Sequence, residues 1–329
     1  MSAPLVLFYT TFFSKPVDIP RLTGGDMEAA SRLTLDKKRI AEVAAVVFHL
    51  PNFREMGDAF RYPGQLWIGW SLECEQNYRI QANPRIMKHF DFMMTYETRS
   101  DVWCPYLPKA DWWRDAGARA TPAKSEEAPV ALFVSARLNY SGRLDLVEEL
   151  SKHLRIDSYG RYWHNRNLPG PDLGKVTKLE TIGRYRFCLA VENSIEQDYV
   201  TEKIYDCLGA GTVPIYLGAP NVDEFAPPGS YVNAADFRTP AELAAYIRHL
   251  CETPAEYESY FRWKKEPLPP LLVERLKRIE TPLGIRLLRF VEQQAALRPA
   301  DRTGRRTMPF GPRSYIGTRL RKWRGKVPG

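Results

Sequence analysis

The chain of 329 residues is 44% hydrophobic and 26% charged, which suits globular folding, with two domains the expectation at this length. The net charge of +8 is unevenly held: nine Lys or Arg and no acid lie from Arg302 to Gly329, leaving 38 basic against 39 acidic residues elsewhere, so the surplus sits on a terminal arm rather than on the basic folded face of a nucleic-acid-binding domain. No stretch approaches the roughly 18 apolar residues of a membrane-crossing helix, no signal-peptide pattern follows Met1, and the five scattered cysteines make neither a CxxC pattern nor a disulfide framework, so a soluble protein of a reducing, cytoplasmic compartment is expected.

In chain order, residues 5–11 (LVLFYTT) read as a first strand, Gly24-Gly25 as a loop and 35–43 as a charged helix. Residues 44–49 (AAVVFH) are a second strand, apolar in the continuous manner of parallel strands buried on both faces. Pro63-Gly64 marks a turn before a third strand, 65–72, and 92–96 (FMMTY) is a fourth. The alternation predicts a first α/β domain over 1–118. Residues 119–129, polar and rich in Pro and Ala, read as a linker. A second α/β domain, 130–275, opens on a strand at 130–135 (VALFVS). A loop follows, then an amphipathic helix at 143–154 with Leu146, Val147, Leu150 and Leu154 inward, then a short strand and turn at 156–160. Helices are expected at 239–251, at 254–264 and over 271–297 with an interruption at Pro282. Residues 276–301 form a C-terminal helical group, followed by the basic tail 302–329.

The stretch 184–219 carries the most chemistry. Residues 185–191 are a strand-like run, 192–198 a polar loop, 200–210 a helix with Val200, Ile204, Cys207 and Leu208 on one stripe, and 213–217 a second buried strand. Asp198 or Thr201 is placed to cap the helix, and Gly209 and Gly211 end it. Strand, helix and strand predict a βαβ unit with parallel strands, whose ligands sit at the strands' carboxyl ends. Glu192, Asn193, Ser194 and Tyr199 then stand at the mouth of a cleft. Glu202 and Lys203 occupy the first helical turn, where free N–H groups and the dipole favour an anion such as a diphosphate. A solvated Glu-Lys pair on an ordinary surface helix fits the same spacing.

FCLAVENS followed by DYVTEKIYDCLGAGTVPIYLGA resembles the signature block of the α1,3/1,4-fucosyltransferases, glycosyltransferase family ten, with Val191 in place of the usual Phe. The chain is read as a soluble, bacterial-type member. The resemblance implies an α/β fold of the GT-B type, two Rossmann-like domains facing a central cleft. It implies that Asn193, Tyr199, Glu202 and Lys203 contact a GDP-fucose donor, with Glu192 beside them and Glu202 also steadying the developing sugar cation. PGQLWIGWSLE is similar to a family segment ending in the proposed general base, which makes Glu73 the candidate. Cys74-Glu75 departs from the pattern after it. In an extended segment Glu73 and Glu75 share a face, so Glu75 stands as a second acid, or as a neighbour that raises the pKa of Glu73. FVS at 133–135, a loop and Arg143 at a helix start resemble the segment whose Arg holds the diphosphate, with Ala136 for the usual Asn; Ser135 enters the donor site with it. Asp157-Ser158-Tyr159-Gly160 resembles a turn near the nucleotide base, which adds Tyr159. Residues 96–101 (YETRSD) resemble a further family segment and are read as structural.

Sugar transfer from a nucleotide diphosphate needs charge neutralisation at the leaving group, a base for the acceptor hydroxyl and a carboxylate near the oxocarbenium-like centre. No D-x-D occurs and the five His make no metal-ligand spacing, so no cofactor and no metal are expected. The expected activity is inverting transfer of L-fucose from GDP-β-L-fucose to O3 or O4 of a GlcNAc or Glc residue in an oligosaccharide or lipid-linked glycan of the lipopolysaccharide kind. Nucleic acid is not an expected partner. The tail, with Met308, Phe310, Tyr315, Ile316, Leu320 and Trp323 among its basic residues, suits an anionic membrane surface, at the inner face of the cell membrane, as well as a solvated or disordered arm. The alternatives are a transferase of the same fold using another nucleotide sugar, and a glycan-binding relative without activity.

Overall fold

The computed structural model describes residues 3–168, 170–297, 305–311 and 313. The chain folds as two compact units, one holding Met1–Pro105 together with the chain from Thr281, the other Tyr106–Glu280. Each is an α/β unit on one five-stranded parallel sheet.

In the N-terminal unit the strands are β1 (Val6–Phe8), β2 (Leu33–Thr34), β3 (Ala45–His49), β4 (Leu66–Ser71) and β5 (Phe92–Thr95), in the order β2-β1-β3-β4-β5. Every residue of β1, β3 and β4 is buried because both faces are covered, and alternate residues feed two cores. Val6, Phe8, Ala45, Val47, Ile68 and Trp70 pack with Leu287, Leu288 and Val291 of helix Leu283–Leu297. Leu7, Val46, Phe48 and Trp67 pack with Leu50, Phe53 and Met56 on the other face. The segment 35–43 holds only a short 3-10 helix, Lys37–Ala41, in place of the expected α-helix: Asp36 caps it, but KKRIA offers Ile40 alone to an apolar stripe. β2, two residues long, is too short to leave a periodic signal.

Part of the basic tail is corrected too. Arg61 and Thr307 form an antiparallel bridge, their amides and carbonyls 2.7 and 2.8 Å apart. Phe310 is fully buried, stacked 5.8 Å from Trp67 and edge-on to His89. Residues 305–311 are therefore anchored, and the Phe310 ring fills a core instead of facing a membrane. Tyr315, Ile316, Leu320 and Trp323 lie outside the described residues.

In the C-terminal unit the strands are β6 (Val130–Leu132), β7 (Ile156–Ser158), β8 (Phe187–Val191), β9 (Val213–Leu217) and β10 (Val232–Asn233), in the order β10-β9-β8-β6-β7. Helices Arg143–Ser151 and Pro240–Glu252 cover one face through Val147, Leu150, Leu243 and Ile247. Helix Glu202–Gly209 packs on β8 and β9, with Ile204, Cys207 and Leu208 buried as their spacing predicts. β8 and β9 are parallel, Val191 opposite Leu217. The expected boundary at 118 falls instead at 105. Helix Ala110–Ala118 belongs to this unit because Trp113 packs edge-on against Tyr205 and Trp263, with centroids 5.9 and 5.8 Å away. The second boundary falls at 280 rather than 275, after helix Pro270–Ile279, and helix Leu283–Leu297 returns to the N-terminal unit.

Candidate active site

In the C-terminal sheet the chain leaves β6 for its neighbour β7 and returns on β6's other side as β8. The loops after β6 and β8 diverge from adjacent carboxyl ends, which opens the crevice where ligands of such sheets bind.

The loop after β8 is built around a buried carboxylate. Glu192 is 0% exposed, and its amide donates to Leu217 O at 2.7 Å. Oε1 accepts from the Thr201 amide and hydroxyl, both at 2.8 Å, and Oε2 accepts from Lys203 Nζ at 2.9 Å. Lys203 Nζ also donates to Thr201 Oγ1 at 2.7 Å and lies 3.6 Å from Glu202. Thr201 is the residue before helix Glu202–Gly209, yet its hydroxyl serves Glu192 rather than the helix end. Asp198 sits in the left-handed region at φ +66°, held by Asn221 through both its amide and its carboxylate. Neither Asp198 nor Thr201 gives a side-chain cap to that helix.

Burial raises the Glu192 pKa more than Lys203 lowers it. For Lys203 burial works against the ammonium, but Glu192 and Glu202 outweigh it and raise the pKa. Both shifts are upward, which disfavours the charged carboxylate and favours the ammonium: the cost of burial falls on the carboxylate, which has no exposed surface, while the lysine side chain keeps 23% exposure. Glu202 is half exposed. Burial pushes its pKa up, but Lys203, its own backbone amide, Lys178 and the Thr201 hydroxyl together outweigh that and leave it lowered. Gly218 seats this carboxylate: a Cβ there would come within 2.6 Å of Glu192 Cγ and closer still to the Tyr216 hydroxyl. That packing is the physical reason for the glycine in VPIYLG.

The loop after β6 is tied to the same point. Ser141 Oγ donates to Glu192 O at 2.5 Å, and the Ser141 amide to Asn193 O at 3.1 Å. Arg143 begins its helix 2% exposed, donating to the carbonyls of Leu138, Ala136 and Val191 at 3.0, 2.9 and 3.3 Å. Burial lowers its pKa and Glu192 opposes the shift. Arg143 thus stands where the sequence reading puts it, but these bonds make it a brace between loops. Asn193 and Tyr199 are buried beside the network. Ser135 and Tyr159 make a separate set. Ser135 is exposed and accepts from the Arg161 amide at 3.2 Å. Tyr159 stacks on Phe133 at 5.0 Å and shares a 2.6 Å hydrogen bond with Tyr185, which donates to Asp157. A Cβ on Gly160 would meet Val134 O at 2.1 Å, so the turn admits only glycine.

In the N-terminal unit Glu73 follows β4, half-buried, with Oε2 accepting from Asn77 Nδ2 at 2.9 Å. The chain bends after Ser71, whose hydroxyl donates to Glu73 O at 2.8 Å and accepts from the Glu73 amide at 3.1 Å. The segment is not extended, so the expected shared face is lost. Glu75 is exposed while Glu73 is held. This sheet switches direction between β1 and β3. The loops there hold a polar network that sequence reading misses. Glu55 accepts from the Thr11 amide at 2.7 Å and hydroxyl at 2.5 Å, and Asn52 Nδ2 donates to both Thr11 and Glu55. His49 Nδ1 lies 2.7 Å from Asn52 Oδ1, and burial pushes its pKa down to about 4. Only the Asn52–Glu55 spacing hints at this in the sequence, and contact with Thr11 across two strands leaves no local signal.

Two parallel-sheet α/β units, the second with buried charge at its switch point, are the architecture of the GT-B glycosyltransferases. Comparison with known proteins narrows the class. A family model for fucosyltransferase N-terminal domains matches residues 1–107, and one for the C-terminal domain of glycosyltransferase family 10 (fucosyltransferase) matches 122–283. The human 4-galactosyl-N-acetylglucosaminide 3-alpha-L-fucosyltransferase FUT6 is 33% identical over 281 residues, covering 82% of this chain and 75% of the relative. The chimpanzee (Pan troglodytes) 3-galactosyl-N-acetylglucosaminide 4-alpha-L-fucosyltransferase FUT3 is 34% identical over 278 residues, covering 80% of this chain and 71% of the relative. A crystal structure of an alpha1,3-fucosyltransferase with GDP-fucose shares the fold at a TM-score of 0.57 and 18% identity, over 85% of this chain and 90% of that one. The chain belongs to glycosyltransferase family 10, the fucosyltransferases. Among the described residues no helix is long and apolar enough to cross a membrane.

Proposed function

We propose that the protein transfers L-fucose from GDP-β-L-fucose to a hydroxyl of an acceptor glycan, O3 or O4 of a GlcNAc or Glc residue, with inversion at the anomeric carbon and without a metal. The observation that carries this reading is the Glu192–Thr201–Lys203 network at the switch point of the C-terminal sheet, in a chain whose relatives are named as fucosyltransferases.

In this reading Lys203 takes up charge on the departing diphosphate, and Glu192 fixes the lysine and keeps it cationic. Glu202, half exposed in the same turn, faces the positive charge that develops on fucose; Asn193 and Tyr199 shape the pocket around it. Arg143 braces the two loops and adds its charge. Ser135 and Tyr159 belong to the nucleotide end. In the N-terminal unit Glu73 accepts the acceptor's hydroxyl proton as that oxygen bonds to the fucose anomeric carbon, while the bond to GDP breaks and its electron pair leaves with the diphosphate. Glu73 is preferred to Glu75 because Asn77 orients it. The basic residues of the tail beyond the anchored 305–311 are assigned an anionic membrane surface, which flotation with liposomes of intact and truncated protein tests.

The test is incubation with GDP-fucose, acceptor glycan and EDTA. An α-fucosylated product by NMR and mass spectrometry is expected. Transfer only from another nucleotide sugar, or no turnover with any acceptor, would overturn the reading.

A further inference from the structure

Resting on the reading of Glu73 as the acceptor-side base, we propose that Phe13 is the platform on which an acceptor sugar ring lies, and so a specificity-determining residue of the N-terminal unit. The evidence begins with a turn whose sequence is wrong for its shape. Phe12 N donates to Lys15 O at 2.8 Å and Lys15 N to Phe12 O at 3.0 Å, closing a two-residue turn between them. Both central residues have positive φ, Phe13 at +47° and Ser14 at +65°. That is the pattern of a type I′ turn, which Asn-Gly fills without strain and a bulky aromatic residue does not.

The surrounding residues hold the turn in that conformation. The Phe13 amide donates to Asn52 Oδ1 at 2.9 Å, and Asn52 is in turn fixed by His49, Thr11 and Glu55. Local rules broken where the structure over-determines the conformation point to function. What the conformation presents is the Phe13 ring, 41% exposed. It stands edge-on to Phe12 and His49, with centroids 4.9 and 4.7 Å away, so its position is set from behind. Phe12 stacks at 4.8 Å on Trp70 of β4, the strand that leads into Glu73. Tyr78 lies 6.4 Å from Phe13, and its hydroxyl pKa is raised by burial and then by the Glu73 carboxylate.

An exposed aromatic ring, a carboxylate and an amide therefore share one end of the sheet. The negative face of an aromatic ring attracts the C–H-bearing face of a sugar, and a few polar groups beside it fix the hydroxyls. A hydrophobic ring serving the core alone would point inward, as Trp70 does at 4% exposure, with Phe12 partly buried against the same core.

The decisive variant is Phe13→Asn, which deletes the ring and suits the turn. Kinetics are measured with GDP-fucose and whichever of N-acetyllactosamine, lacto-N-biose and N-acetylglucosamine the wild type uses best. The acceptor KM is expected to rise about tenfold, with GDP-fucose KM unchanged and the thermal midpoint equal or higher. Phe13→Trp is expected to restore the acceptor KM. A Phe13→Asn enzyme with the wild-type acceptor KM, or one that loses thermal stability and GDP-fucose affinity together, overturns the inference alone. A wild type that transfers fucose to none of these glycans and to no Glc-containing glycan such as lactose overturns the proposed function and this inference with it.

Discussion

Replacing Lys203 by Met keeps the aliphatic stem and removes the cation that faces Glu192. Glu192 has no exposed surface, so its charge would keep only the Thr201 amide and hydroxyl at 2.8 Å as hydrogen-bond partners, with the Arg143 guanidinium the remaining cation that acts on it. Breaking a buried pair from one side costs about 3–5 kcal/mol because the remaining charge is uncompensated. The 23% exposure of the lysine side chain and the retained Thr201 bonds put the expected loss near the lower end, about 3 kcal/mol. The loss is local to the C-terminal unit. Native-state hydrogen exchange on peptides of β8 and β9 reads it directly as a reduced opening free energy. Glu192 already has a raised pKa, and without Lys203 it rises further. The carboxyl therefore takes a proton more readily as pH falls towards the ordinary carboxylate range, and the deficit of the variant shrinks as it does. A Glu192→Gln, Lys203→Met pair, having no buried charge, is expected to recover most of it. A single variant within about 0.5 kcal/mol of wild type at pH 7 would show that the pair behaves as a surface ion pair, and would refute the reasoning.

Glu73→Gln is expected to lower kcat by about 10²–10⁴-fold with GDP-fucose binding intact, since it removes a base and leaves the donor side untouched. Steady-state transfer paired with calorimetry checks this, and an active Glu73→Gln enzyme alongside an inactive Glu75→Gln would move the role to Glu75. His49 makes a separate prediction. Its folded pKa of about 4 lies below the ordinary 6.5, so the unfolded chain binds the proton first as pH falls. The stability it contributes is present above pH 6.5 and is lost on descending towards pH 4. The difference between the two pKa values corresponds to about 3 kcal/mol, and urea unfolding of wild type and His49→Gln across that range should show the wild type losing more.

Patterns confined to one element were legible in the sequence. The continuous apolar run at 45–49 and the stripe Val200, Ile204, Cys207, Leu208 led to a doubly covered strand and a buried helix because burial alone generates them. Glu202 and Lys203 are singled out by their place at a helix start, and Glu73 and Arg143 by family resemblance. What escaped depends on distant residues meeting. The attachment of helix Ala110–Ala118 to the C-terminal unit follows from Trp113 reaching Tyr205 and Trp263. The docking of Phe310 in a core depends on Trp67 and His89, more than two hundred residues away. Glu192 looked like one residue among several at a cleft mouth. Its central place became visible only once Thr201, Lys203 and Ser141 were seen to converge on it.

The most direct test of the account is calorimetric titration of the full chain with GDP-fucose, GDP-mannose and UDP-galactose in EDTA, for wild type and Lys203→Met. The account predicts selective binding of GDP-fucose by the wild type, weakened at least tenfold in the variant. Equal binding by the two proteins, or a preference for either other nucleotide sugar, would contradict it.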